Sequence, residues 1–126
     1  TSSGKSLAPV GAADRNGAIH LAWMDNSSGR FAILYSRWDK ETWSEPRMVS
    51  DGATLAIFPS IVVDRSGVVH IAWMEEGDTD SDVYYSSLVN GIWSKPENIS
   101  SMAGVSQRPQ LVIDKLDVIH LVWFDN

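Results

Sequence analysis

The sequence predicts an all-β protein, a β-propeller built of four-stranded antiparallel blades, of which this chain supplies about two and a half. Three observations predict it. First, a fifty-residue unit repeats without a gap: Asp14-Arg-Asn-Gly-Ala-Ile-His-Leu-Ala-Trp23 returns as Asp64-Arg-Ser-Gly-Val-Val-His-Ile-Ala-Trp73 and as Asp114-Lys-Leu-Asp-Val-Ile-His-Leu-Val-Trp123. A fixed period of this length marks a modular architecture whose units bury their faces against their neighbours. Second, each unit divides into short β-branched and aromatic runs bounded by Gly, Pro, Asp and Asn, with no helical periodicity. Third, the run from Val68 to Glu75 is apolar on both faces. Val68, His70, Ala72 and Met74 share one face, and Val69, Ile71 and Trp73 share the other. Such a sheet needs a neighbour on each side, which sheets stacked around an axis provide. A two-sheet sandwich is the alternative, but it does not call for a fifty-residue repeat.

Residues 1–8 read as an N-terminal linker. Residues 9–58 form the first repeat, 59–108 the second, and 109–126 the first two strands of a third. In the middle unit, Pro59–Asp64 is a first strand, with proline permitted at its start. Asp64-Arg-Ser-Gly67 is a tight turn in which Gly supplies a positive φ and Asp bonds the backbone ahead of it. Val68–Glu75 is the second strand and Asp82–Leu88 the third. Asn90-Gly91 is a hairpin signal, and Ile92–Ser100 is a fourth strand that Pro96 places at an edge. The first unit repeats this pattern near Pro9–Asp14, Ala18–Asp25, Phe31–Trp38 and Trp43–Ser50.

Further features recur in order. A Tyr-Ser strand (Tyr35-Ser36, Tyr85-Ser86) is followed by Trp-Ser-x-Pro (Trp43-Ser-Glu-Pro46, Trp93-Ser-Lys-Pro96) and a closing Ser (Ser50, Ser100). With Asp-x-x-Gly-x-x-His-x-x-Trp, this set resembles the sialidase-like superfamily of β-propellers, whose units are called BNR or Asp-box repeats. Ser36-Arg-Trp-Asp39-Lys-Glu-Thr-Trp43 keeps the Ser, Asp and Trp of the Asp box, with the Asp shifted and the Gly absent. The resemblance implies a turn-stabilising role for that motif and a carbohydrate as ligand class. Sialidases of the superfamily use an arginine triad, a Tyr with a Glu partner, and an acid/base. Arg108-Pro109 is the one similarity to their first-strand arginine motif, so no catalytic residue is carried over. The expected function is a non-enzymatic binding or scaffold module; the alternative is part of a sialidase-like glycoside hydrolase whose catalytic residues lie mostly outside this chain.

One chain holds three first, three second, two third and two fourth strands, which cannot close a ring. Two chains hold the strand number of a five-bladed ring, but only with an irregular fifth blade made from two half-units. Missing sequence or partner chains must therefore complete the blades. A homo-oligomer, with a dimer favoured, is the expectation, because bare strand edges and blade faces promote association.

Composition narrows the function classes. The net charge of −6 argues against nucleic-acid and anionic-membrane partners, which require clustered Lys and Arg. No apolar run approaches the roughly 20 residues that span a bilayer. No cysteine is present, so disulfide and thiol chemistry are excluded. The compartment stays open, an extracellular or secreted setting included.

The candidate site residues divide into repeated and unrepeated ones. His20, His70 and His120 occupy equivalent positions, so they point into successive gaps and do not converge on a metal. They are expected to hydrogen-bond within the stack, as Asp14, Asp64 and Asp114 are expected to cap turns. Trp23, Trp73, Trp123, Trp43 and Trp93 are expected to pack. Trp38, whose counterpart is Leu88, breaks the repeat and is a candidate for stacking on a sugar; Arg108 is a second ligand-binding candidate. Asp78, Asp80 and Asp82 have the alternating spacing that opens a calcium loop but lack its later Gly and Glu. No cofactor is expected.

Overall fold

The computed structural model of the chain describes residues 3–101 and 104–125. Among these residues every regular element is a strand. Strands β1 (Ser6–Ala13), β2 (Ile19–Asp25), β3 (Ala32–Trp38) and β4 (Arg47–Met48) form a four-stranded antiparallel sheet in sequence order. Strands β5 (Leu55–Val63), β6 (Val69–Glu76), β7 (Ser81–Val89) and β8 (Ile92–Trp93) repeat it, with β9 (Glu97–Asn98) also pairing with β7. Strands β10 (Ser106–Ile113) and β11 (Ile119–Asp125) form a third, two-stranded sheet.

The pairing registers repeat with the sequence. Ala22 faces Tyr35 across β2 and β3, and Ala72 faces Tyr85 across β6 and β7. Asn90 and Gly91 both have positive φ and join Val89 to its partner Ile92, the two-residue turn their sequence requires.

Each first strand is longer than the run after its proline. β1 starts at Ser6, inside the segment expected to be linker, and β5 starts at Leu55. The proline is not at the strand start. It sits at a bulge, where the register shifts between Leu7 and Val10, Ile57 and Ser60, and Gln107 and Gln110. A bulge leaves one residue unpaired, so a residue without an N–H fits there. The residue before each proline, Ala8, Phe58 or Arg108, has φ of 50°, 53° or 52°. This left-handed conformation is costly for side chains other than glycine.

The fourth strands are shorter than expected. In the first unit only the Trp38–Trp43 bridge and the Arg47–Met48 pair form. In the second unit Ser94-Lys95-Pro96 separates β8 from β9. Proline in each Trp-Ser-x-Pro interrupts the ladder, and both segments lie at the sheet edge.

The three sheets stack face to face. β5 packs against β1, β2 and β3, while β10 packs against β5, β6 and β7. The core fills the first gap: Ala22, Met24, Ile33 and Tyr35 meet Ile61, Val69, Ile71 and Trp73.

Candidate functional site

The repeated Asp, His and Tyr form one hydrogen-bonded set in each complete unit. Asp14 divides its oxygens: Oδ1 accepts from the backbone N–H of Asn16 (2.9 Å) and Ala18 (3.1 Å), and Oδ2 accepts from His20 Nε2 (2.9 Å). His20 Nδ1 lies 2.7 Å from the Tyr35 hydroxyl. A carboxylate only accepts, so Nε2 carries the proton; in the neutral ring Nδ1 then accepts from the Tyr35 O–H. Burial pushes the Tyr35 hydroxyl up to about 12, which keeps it a donor. The second unit reproduces the set with Asp64, His70 and Tyr85, at 2.9 Å and 2.6 Å. In the third, Asp114 accepts from His120 Nε2 at 2.8 Å, and among the described residues nothing meets His120 Nδ1.

The His20 hydrogen bond and the turn N–H groups hold the Asp14 carboxyl below its ordinary range. Burial works against ionisation of Asp64, but the His70 bond and the Val68 N–H outweigh it, and the net shift is downward. The His120 bond lowers Asp114 in the same way. With both oxygens engaged, these acids are turn caps that also orient a histidine. None is free to act as a general base or to share a proton across a cleft.

The other repeated polar residues close the sheets. Ser36 Oγ donates to the Ser44 carbonyl, and Ser86 Oγ to that of Ser94, both at 2.7 Å. Ser50 and Ser100 accept from the N–H of Ile33 and Val83, both at 3.0 Å. Asp39 Oδ1 accepts from Glu41 N (3.0 Å) and Thr42 N (2.9 Å), so this carboxylate caps the turn between Trp38 and Trp43.

The unrepeated candidates are not drawn together. Asp78 and Asp80 are exposed, whereas Asp82 turns inward to accept from Asn98 Nδ2 and Ser100 Oγ, both at 2.9 Å. Among the described residues no three His, Asp or Glu side chains gather as a metal ion requires. The Arg108 guanidinium lies 5.5 Å above the Phe58 ring centroid. The two residues line a groove of about 250 Å³ with Ala8 and the three bulge prolines. Trp38 is half-buried and paired across its hairpin with Trp43.

Sequence reasoning missed the asymmetry of the two outer faces. Trp73 is wholly buried under the first sheet and donates from Nε1 to Glu75 Oε1 at 2.9 Å. Its counterpart Trp23 sits on the open side of the first sheet, half-buried beside Leu7 and Leu21 in a shallow pocket of about 320 Å³. Val69 is 1% exposed and its counterpart Ile19 is 36% exposed. Trp93 meets Tyr35 edge-on at 5.0 Å, whereas Trp43 is 51% exposed and does not pack as expected. The reverse holds at the other end of the stack. Ala22, Ala72, Met24 and Met74 are buried, and their counterparts Val122 and Phe124 are 57% and 72% exposed.

Every buried gap thus joins the same two surfaces. One carries His, Ala and Met from the second strand; the other carries Val or Ile and Trp. The first sheet leaves its Trp surface open, and the third leaves its His surface open. A signal for this lay in the repeat, since equivalent residues must meet equivalent partners wherever a neighbouring sheet exists.

No protein-family model matches the chain, and no curated protein matches it.

Proposed function

We propose that this chain is a sialidase-like β-propeller segment that works as a non-enzymatic assembly and binding module, completing itself by association with a second copy. The observation that carries the reading is the contrast between Trp73, wholly buried beneath the first sheet, and Trp23, half-exposed at the same position of the unit before it. What covers Trp73 is a His surface, and the chain holds one His surface uncovered, on its third sheet. A second copy therefore brings the matching surface to Trp23.

Such a contact joins two different surfaces; between two copies it closes when it is made twice about a two-fold axis, and otherwise it runs on as a larger ring or a filament. Two chains joined this way bring six sheets, and three would bring nine. Only six falls in the four-to-eight range that propellers occupy. Each two-stranded sheet then remains a blade of its own, so the dimer closes as six sheets, two of them short, rather than as five with one hybrid. Val122 and Phe124 add volume to the surface that lacks a third strand. A carbohydrate ligand, the class implied by the family resemblance, would meet this assembly at its rim; Trp43 is a poor anchor for one, since its counterpart Trp93 is engaged with Tyr35 in packing.

Light scattering on a sizing column tests the reading. A discrete species at twice 13.9 kDa is expected, and Leu21→Glu, on the Trp surface, is expected to reduce it to a folded monomer. A wild-type monomer at micromolar concentration would overturn the proposal.

A further inference from the structure

The three turns that join a first strand to a second are built alike but meet one another differently. Gly17, Gly67 and Asp117 hold the same place in them, each with a positive φ, of 82°, 84° and 64°. Each donates its N–H to the carbonyl of the aspartate that opens the turn, at 3.1, 3.0 and 3.1 Å. Between the second and third turns the gap is bridged. Asp117 Oδ1 accepts from the Arg65 backbone N–H at 3.0 Å, and Arg65 Nη2 donates to the Lys115 carbonyl at 2.7 Å. Between the first and second turns, Arg15 stands for Arg65 and Gly67 stands for Asp117. A Cβ at Gly67 would meet nothing within 4 Å. Among the described residues no acceptor meets the Arg15 N–H or its guanidinium. Both face a cleft of about 350 Å³ that Asn16, Ser66 and Gly67 also line.

From this we propose that the cleft between the first two turns binds the carboxylate of a small hydroxy acid, which takes on Arg15 the position that Asp117 takes on Arg65. A carboxylate is the group the chain itself sets against this backbone N–H one repeat further on. The Arg15 guanidinium, without the carbonyl contact that holds Arg65, adds a charge-assisted donor. The Asn16 and Ser66 side chains make no hydrogen bond among the described residues, and they offer neutral donors and acceptors to hydroxyl groups. The Asp14 and Asp64 carboxylates border the same cleft, so a singly charged group fits better than a phosphate, whose second charge they would repel. Both turns belong to complete sheets of this chain, so the site needs neither a second copy nor further sequence.

The probe is gluconate, titrated at constant ionic strength into the isotope-labelled 126-residue chain and followed by amide NMR signals. The Arg15 amide is expected to move with a dissociation constant of about 1–10 mM, as one backbone N–H and one exposed guanidinium allow. The Arg65 amide should stay still, because Asp117 already holds it. Glucose, which lacks the carboxylate, and inorganic phosphate should move Arg15 far less. Arg15→Gln keeps the N–H and loses the guanidinium, and is expected to weaken binding about ten-fold. Gly67→Asp supplies a carboxylate from within, at a positive φ that Asp117 already adopts, and should abolish the response of Arg15. Asp117→Gly should do the reverse and make the Arg65 amide respond to gluconate. The proposal is overturned if gluconate leaves the Arg15 amide unmoved up to about 50 mM, beyond any specific affinity, if glucose or phosphate moves it equally, or if the Gly67→Asp chain binds as the wild type does.

Discussion

A single carboxylate oxygen decides whether each histidine is held. Oδ1 of Asp14 and Asp64 closes the turn and Oδ2 fixes the imidazole, so one side chain sets both the hairpin and the tautomer that the tyrosine reads. Removing the tyrosine hydroxyl strands a buried acceptor. Tyr35→Phe is expected to cost about 1–3 kcal/mol in urea unfolding, and Asp114→Asn much less, because its histidine is exposed. The acid limb of stability follows from the lowered carboxyls. A group whose folded pKa lies below its unfolded value of about 3.9 stabilises above that value and loses the contribution as pH falls through the folded pKa. The thermal midpoint should therefore drop below about pH 4, and a doubly substituted Asp14→Asn, Asp64→Asn chain should be less stable at pH 7 with a shallower drop in acid. The turn-capping aspartates and structural histidines were legible in the sequence, because a repeated residue that points into successive gaps cannot converge. The tyrosine as their partner was not. It lies fifteen residues on, and only strand register brings it there.

At the scale of elements, the repeat was legible as strands but its prolines were misplaced. A proline at a bulge and a proline at a strand start look alike in sequence, and only the pairing on both sides of Pro59 separates them. The left-handed residue ahead of each proline is a point of stored strain. Ala8→Gly removes a single methyl and relieves it, and is expected to stabilise by about 1 kcal/mol, read as a higher unfolding midpoint. Phe58→Gly should gain less, since it also releases the Arg108 guanidinium from the ring. The tryptophans make the sharper comparison. Trp73→Ala opens the packed gap and is expected to cost about 3–5 kcal/mol, whereas Trp23→Ala should cost the isolated chain far less and act on association. Their sequence contexts are nearly identical, so this difference could not be read from residues. It comes from position in the stack.

For the whole molecule, the proposed assembly has copies meet through the same pair of surfaces that the sheets bury inside one chain. The Trp surface of the first sheet and the His surface of the third are the two halves of the gap that β5 fills inside the chain. Strand counting in the sequence leads to the expectation that other strands complete the blades, but it could not say how the proposed copies would meet. Counting favours merging two half-units into one blade, while the surfaces favour stacking them as two. That choice turns on which faces are apolar and open, which appears only once the sheets are placed. Head-to-tail joining also sets a rule that mirror-like joining does not obey: damage to one surface leaves the other able to bind. The measurement that tests this most directly is the molar mass of two variants alone and mixed, Leu21→Glu on the Trp surface and Val122→Glu on the His surface. Each alone should be monomeric, and the mixture should form a dimer through the one undamaged pair of surfaces. If the mixture stays monomeric while wild type dimerises, the two surfaces do not meet, and head-to-tail assembly is contradicted.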